Sequence, residues 1–231
     1  MKLYYDLHIH SALSPCADDD MTPNNIVNMS LIKGLDVIAV ADHNTCGNVR
    51  AVTEAADGKV LVIPAMEIET AEEVHVLSLF PTIEAAEEMW NTVKKNRLDV
   101  KNKPEIFGHQ LYIDKEDNVI GEEEYLLVSA IKLSIEEVFE AVRTLGGTAI
   151  PAHIDRSSCS VISNLGFISP ELGVKTVEIT EKNLSTWAEK YKDCNIITNS
   201  DAHYLGDISE AVRHIEICNK NIAEILDSFT K

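Results

Sequence analysis

The sequence predicts an α/β fold in which strands and helices alternate, and three observations carry that prediction. Short apolar runs rich in β-branched residues recur along the chain, helical patterns with start and stop signals lie between most of them, and 231 residues with 45% hydrophobic composition supply a sizeable core. The expected strands are Leu3–Ile9, Val37–Ala41, Val60–Ala65, Val74–Phe80, Thr148–Ala152, Thr176–Ile179, Ile196–Thr198 and Ile215–Cys218. A helix opens at Thr22-Pro23, where proline suits the first turn, and Gly34 ends it. Val49–Ala56 and Ile83–Lys95 are the next helical patterns. Ser134 with Glu137 writes a capping box for a helix that stops at Gly146-Gly147, and Leu184–Tyr191 and Asn221–Phe229 complete the set. Such alternation implies a parallel sheet, closed as a barrel or open and doubly wound. The polar stretch from about Arg97 to Leu133 breaks the rhythm. It is too long for an ordinary connection and is expected to be a lid or excursion (97–133) within a single domain spanning 1–231.

Charge and cysteine usage narrow the function. Twenty Lys and Arg against 38 Asp and Glu give a formal net charge of −18. A basic surface that displaces counterions from phosphate is absent, so no long nucleic acid is expected as a partner, and no anionic membrane surface either. A small phosphorylated substrate held through bound cations is compatible with that charge. The longest strongly apolar run, Val60–Met66, is far short of the roughly 20 residues of a membrane helix, and the N-terminus offers no apolar signal core. Cys16, Cys46, Cys159, Cys194 and Cys218 form no CxxC, and such dispersed thiols suit the cytoplasm. Each is expected to be a small buried apolar residue. No feature specifies an oligomeric state.

The chemistry lies at strand ends. The first strand runs into His8-Ile9-His10, whose imidazoles, two apart, share a face. The second ends in Asp42-His43 and the third delivers Glu67; the fourth begins at His75, the fifth ends at His153, and the seventh ends in Asp201-Ala-His203. A lone histidine is more often a core or surface residue than a ligand, but here six of eight histidines fall at strand termini beside carboxylates. In an α/β barrel such positions converge on one face, where active sites form. Imidazoles with carboxylates and no thiolate pattern specify Zn²⁺, Mn²⁺ or Fe²⁺, and a multi-metal hydrolytic site.

The ordered series Asp6-Leu-His8-Ile-His10-Ser11, Ala41-Asp42-His43-Asn44, Glu67, His75, Pro151-Ala-His153 and Ser200-Asp201-Ala-His203 covers nearly the whole chain and resembles the PHP (polymerase and histidinol phosphatase) superfamily. The resemblance implies a distorted (β/α)7 TIM-like barrel that binds two to three divalent metals and hydrolyses phosphoesters. It implies that His8, His10, Glu67 and Asp201 hold one metal, and that Glu67 bridges to a second completed by His75 and His153. His43, His203 and an acid of the first loop would hold a third. That acid is Asp18, Asp19 or Asp20, displaced by Ser14-Pro15-Cys16-Ala17, and Asp18 is the favoured choice. Glu69 competes with Glu67, which is preferred as nearer the strand end.

Two metals sharing Glu67 at roughly 3.5–4 Å would activate a bridging water as hydroxide and stabilise charge growing on phosphorus. Asp201 or His203 would manage the leaving-group proton, and Asp42 would orient a ligand imidazole. Arg156, three residues past His153, is read as a fork for the substrate phosphate. His109 is expected to be a solvated loop residue, His214 to lie on the opposite face, and Trp90 and Trp187 to be packing residues. The reading is therefore a phosphoesterase acting on a small phosphorylated metabolite or nucleotide. Alternatives are an oligonucleotide exonuclease of the same superfamily, a non-catalytic PHP module, which would lose ligands that this chain keeps, and an amidohydrolase-type C–N hydrolase. The last typically carries a strand-borne lysine, and no lysine ends a strand here.

Overall fold

The computed structural model describes residues 1–231. In chain order the elements are β1 (Lys2–Ile9), α1 (Pro23–Ile32), β2 (Val37–Val40), α2 (Val49–Ala56), β3 (Leu61–Glu69), β4 (His75–Leu79) and α3 (Ile83–Asn96). They continue with α4 (Pro104–Phe107), β5 (Leu111–Ile113), β6 (Val119–Glu122), α5 (Ile135–Thr144), β7 (Thr148–Pro151) and α6 (Val161–Leu165). The last are β8 (Thr176–Glu178), α7 (Leu184–Trp187), β9 (Asn195–Ile197), β10 (His214–Glu216) and α8 (Ile222–Ser228). All eight expected strands form. The expected helix over Leu184–Tyr191 shrinks to the single turn of α7.

A six-stranded sheet runs in the order β10-β1-β2-β3-β4-β7 and is mixed, which corrects the parallel sheet expected from strand–helix alternation. β1, β2 and β3 are parallel, whereas β3–β4, β4–β7 and β1–β10 are antiparallel. The reason is connection length. A parallel return needs a crossover of a dozen or more residues, and only Thr70–Val74 separates β3 from β4. β3 is correspondingly long. Leu61–Pro64 pairs with β2 and Ala65–Glu69 with β4, so Glu67 lies inside the strand rather than just beyond its end.

The parallel ribbon β8–β9 lies between β7 and β1. The Ile154 amide donates to the Glu178 carbonyl on one side, and on the other the His10 amide donates to the Ala202 carbonyl, each at 2.9 Å. Alternate residues of the strands (Leu3, Tyr5, Leu7; Val37, Ala39, Ala41; Leu77, Leu79; Ile150, Ala152) form one inner cluster with Ile225 and Leu226 of α8 and with Phe229 just after it. The Phe229 carbonyl accepts from Thr176 at the start of β8, so α8 lies at the end of the strands away from the histidines. The outer faces pack against Ile26, Val27, Val52 and Ala56 of α1 and α2, and against Met89, Val93, Val138 and Phe139 of α3 and α5.

A bulge in β1 aims the first two histidines. Asp6 pairs with Ile38 but Ile9 with Val40, three residues advancing against two. Leu7 therefore joins the inner cluster and Ile9 the outer one, and the face carrying His8 and His10 turns inward. The excursion carries α4 and the β5–β6 hairpin and is pinned to the core. Asn44 donates to the carbonyls of Leu127 and Ser129, and Asn48 to that of Leu111. Among the cysteines only Cys46 is buried; Cys16 and Cys218 are exposed, so the expectation of five buried thiols fails at these loop positions. No helix is long and apolar enough to cross a membrane.

Candidate metal centre

The six histidines singled out by their place at strand ends converge on the Glu67 carboxylate or its neighbour Asp201. His75 Nδ1 lies 2.9 Å from Glu67 Oε1, His153 Nε2 3.0 Å and His8 Nε2 3.3 Å; His43 Nδ1 lies 3.0 Å and His10 Nε2 3.6 Å from Oε2. His10 Nε2 is also 2.9 Å from Asp201 Oδ1. His203 stacks on His10 at a centroid distance of 4.3 Å. Short backbone bonds set this up: the Glu67 amide donates to the Asp42 carbonyl and the Asn44 amide to the Glu67 carbonyl, clamping His43 beside Glu67. Asn44, His153 and Asp201 all have left-handed backbone, with φ of 54°, 28° and 52°. For residues with a Cβ this conformation is strained, and it clusters at sites whose surroundings over-determine it.

The far side of each ring fixes which nitrogen faces inward. His8 Nδ1–H donates to Glu178, 3.1 Å from both oxygens. Ser14 Oγ gives its proton to Asp42, so it accepts from His10 Nδ1–H at 3.0 Å. His203 Nδ1–H donates to the Asp201 carbonyl at 2.8 Å. Each ring is thereby held as the tautomer whose Nε2 lone pair faces the cluster. Asp42 orients His10 through Ser14, as its proposed supporting role requires.

Electrostatics keep the carboxylates anionic. Burial works to raise the Glu67 carboxyl, yet His75, His8 and His43 together hold it well below the usual range. Burial likewise opposes ionisation of Asp201, and His8 and His10 overcome it. Burial lowers His75, and the Glu67 carboxylate outweighs it, so the ring is pushed up to about 9. Buried His8 Nε2, His43 Nδ1 and His153 Nδ1 have no hydrogen-bond partner. Orphaned buried nitrogens around anionic carboxylates are the pattern of a metal site, because a cation satisfies both at once. Four groupings have donor atoms within 4.8 Å of one another: His8–His10–Asp201, His43–Glu67–His75, His10–His43–His203 and Glu69–His75–Cys159. Such sets suit divalent metal ions.

Asp18 is not brought into any of these groupings. Its Oδ1 accepts from the Asp20 amide within the first loop, and Asp19 and Asp20 are exposed. Cys16 of the same loop is exposed and belongs to none of these groupings either. Glu69 lies to the side, 4.0 Å from His75 Nε2. Arg156 reaches Asp201 Oδ2 at 2.5 Å and is 44% exposed. It lines a cavity of about 460 Å³ beside the cluster, together with Thr180, Asn199, Asp207 and Arg213. His109 is exposed on Glu122, and His214 packs on Tyr4 away from the cluster. Trp90 and Trp187 both pack against the outer core.

Sequence reasoning missed Glu178 and Asn199. Glu178 is buried and also accepts from the His153 amide at 2.9 Å and from Asn199 Nδ2 at 2.7 Å. Asn199 Oδ1 accepts in turn from the Leu7 amide. The signal was a gap. Six strands had been assigned chemistry, and the sixth in chain order of the expected set, Thr-Val-Glu-Ile, carries a carboxylate inside an apolar run.

No known family profile matches the chain. An uncharacterized protein of Methanocaldococcus jannaschii is 28% identical over 207 residues, 88% of this chain, but the chain spans only 22% of that protein's length. The lesion-specific endonuclease Q of Pyrococcus furiosus superposes with a TM-score of 0.74 at 20% identity, over all of this chain and 56% of its own. A two-domain protein of Bacteroides vulgatus, in which a PHP-like metal-dependent phosphoesterase has been proposed, gives 0.58 at 14% identity, over all of this chain and 63% of its own. Endonuclease Q also has a structure in complex with a 27-mer duplex carrying an abasic lesion at the active site, and it superposes equally well. This overturns the exclusion of long nucleic acid. Net charge is a whole-chain sum, whereas a phosphate reaching such a site meets a local field set by the centre itself. The likeness in motif order and in fold agrees: this chain has the architecture shared by PHP-like phosphoesterases and endonuclease Q.

Proposed function

We propose that the chain is a metal-dependent phosphoesterase built on a distorted (β/α)7 barrel, holding two to three Zn²⁺, Mn²⁺ or Fe²⁺ ions. The observation that supports it best is the convergence of five imidazoles within 3.6 Å of the buried Glu67 carboxylate. His8, His10, Glu67 and Asp201 would hold one ion, Glu67, His75 and His153 a second, and His43 with His203 a third. When bound, the cations supply Lewis-acid activation of water and neutralise charge on the phosphate. The chain's own groups do the rest. Glu178 and the Ser14–Asp42 pair orient His8 and His10. Arg156 carries a guanidinium at the cavity edge that can turn from Asp201 to a phosphate oxygen. His203, with Nδ1–H committed to a carbonyl, offers only Nε2 to an ion or to the proton of a leaving oxygen. Substrate enters by the cavity next to Arg156, and a small phosphorylated metabolite or nucleotide fits its volume.

The likeness to endonuclease Q favours a second reading, cleavage of a phosphodiester in damaged DNA. One screen separates the two. Metal-replete protein is assayed against phosphorylated metabolites and against a duplex with an abasic site, with His10→Ala and Asp201→Ala as controls. Release of inorganic phosphate supports the first reading, and strand scission the second. A protein that binds no divalent transition metal overturns both.

A further inference from the structure

The cavity of about 460 Å³ beside the metal centre lies between the ends of β8 and β9 and the segment that follows His203. Val212 is the only apolar residue in its wall, and no Phe, Tyr or Trp lines it. At the cluster end Arg156 pairs with Asp201. Elsewhere on the wall Arg213 is forked onto Glu181 with contacts of 2.6, 2.7 and 3.0 Å. Glu210 is paired with Lys33, and the exposed Asp207 carboxylate joins no ion pair. Thr198 and Ser209 add hydroxyl-bearing side chains. The wall is held in place by β1. Buried Asp6 accepts from the Ser200 amide at 3.1 Å and the Ser209 amide at 2.9 Å, and the Tyr5 amide donates to the Arg213 carbonyl at 3.2 Å.

A nucleobase placed there would find no apolar face beyond Val212 to cover its rings, which small-molecule sites normally supply. A second anion only accepts hydrogen bonds and would be repelled by Asp207 and Glu210. An ammonium only donates and would be repelled by the two guanidiniums. A hydroxyl is neutral and does both, which matches a wall that mixes carboxylate, guanidinium and hydroxyl groups. We propose that the substrate is the phosphate monoester of a sugar or polyol, whose hydroxyls this wall binds, with Asp207 and Arg213 as the specificity-determining residues. The proposal rests on the phosphoesterase reading above and narrows its substrate. The Arg213–Glu181 pair is partly exposed, so it holds weakly and can share its donors with a substrate oxygen. In the reaction water adds its hydroxyl to phosphorus as the ester P–O bond breaks. The water's proton goes to the sugar oxygen, which leaves as a free hydroxyl.

Substrate discrimination tests this. Phosphate release by the metal-replete full chain is measured with ribose 5-phosphate, glucose 6-phosphate, adenosine 5′-monophosphate, 3-phosphoglycerate and phosphoethanolamine. The reference is p-nitrophenyl phosphate, whose leaving group carries no sugar hydroxyls. The proposal requires a higher kcat/KM for one of the sugar phosphates than for the nucleotide, the phosphoglycerate and the phosphoethanolamine. The nucleotide carries the same ribose 5-phosphate with a base added, so a preference for it overturns the proposal. A preference for the second anion of 3-phosphoglycerate or for the ammonium of phosphoethanolamine does so too. Asp207→Ala should lower the ratio of kcat/KM for the sugar phosphate to that for the reference about 5-fold, the value of one hydrogen bond, chiefly through KM. Asp207→Asn keeps an acceptor and should lose less. A ratio unchanged in Asp207→Ala overturns the proposal and leaves the phosphoesterase reading standing. Phosphate released from none of the esters overturns both.

Discussion

Glu178 shows how much rests on a single buried side chain. It accepts the Nδ1–H of His8 and the amide of His153, and it belongs to none of the groupings of candidate metal donors. Removing such an orienting carboxylate weakens metal binding about 10–100-fold, so Glu178→Gln is expected to lose affinity for Zn²⁺ in a competition titration while keeping its fold. The same residue predicts a pH signature in the apo protein. Burial works to raise its carboxyl, but His8 and the surrounding donors hold it below its unfolded value of 4.5. A depressed folded-state value stabilises the native chain above that pH, and the contribution fades as pH falls through the folded value. The melting-temperature gap between wild type and Glu178→Gln should therefore be widest near neutrality and narrow below about pH 4. Arg156 makes the complementary case. Arg156→Ala is expected to reduce kcat/KM about 10-fold, the value of one charge-assisted hydrogen bond, with bound metal unchanged by elemental analysis. Unaltered kinetics would remove it from the phosphate site.

At the scale of elements, the excursion is a clamp on the first loop. Gly108, at φ 99°, abuts the Pro15 carbonyl, and the Leu111 amide donates to the Ala12 carbonyl at 2.8 Å. Gly108→Ala combines a left-handed backbone with an overlap against backbone, and should cost about 1–3 kcal/mol from the overlap alone in urea denaturation. Gly58, at φ 72° with nothing within 4 Å, shows what a positive φ costs where no overlap accompanies it. Gly58→Ala should lose only about 1 kcal/mol. Equal losses at the two sites would mean that the contact with Pro15 carries no energy. The strands were legible because buried β-branched runs have few alternative fates, and the Ser134–Glu137 capping box formed as its spacing predicted. Pairing direction was legible only in part. The short β3–β4 connection forbids a parallel return, while the antiparallel seat of β10 beside β1 follows from long-range contacts that no local spacing records.

Over the whole molecule, the centre concentrates ionised carboxylates and orphaned nitrogens in the interior, so cations should stabilise the fold. Each ion at 100 times its dissociation constant contributes ~2.7 kcal/mol, which for a chain of this size corresponds to a rise in Tm of about 5–10 °C per occupied site. Stripping with a chelator should lower Tm by that amount, and Zn²⁺ or Mn²⁺ should restore it in calorimetry. A Tm indifferent to chelator and metal would contradict a metal-filled centre. The charge of −18 also changes meaning at this scale. It describes the average surface. Endonuclease Q, which shares this architecture, takes a 27-mer duplex, so average charge does not decide which phosphates reach the site.

The sequence by itself determined the strands, the convergence of His8, His10, His43, Glu67, His75, His153, Asp201 and His203, and the α/β class, because these depend on local periodicity and on residues fixed at strand ends. Only the tertiary structure decided the rest. The β1 bulge aims His8 and His10, Glu178 and Asn199 brace the cluster from behind, the excursion clamps the first loop, and Asp18 turns its carboxylate back onto the Asp20 amide. Each of these depends on where loops remote in sequence dock, and docking is settled by packing and by satisfaction of buried polar groups across the whole core.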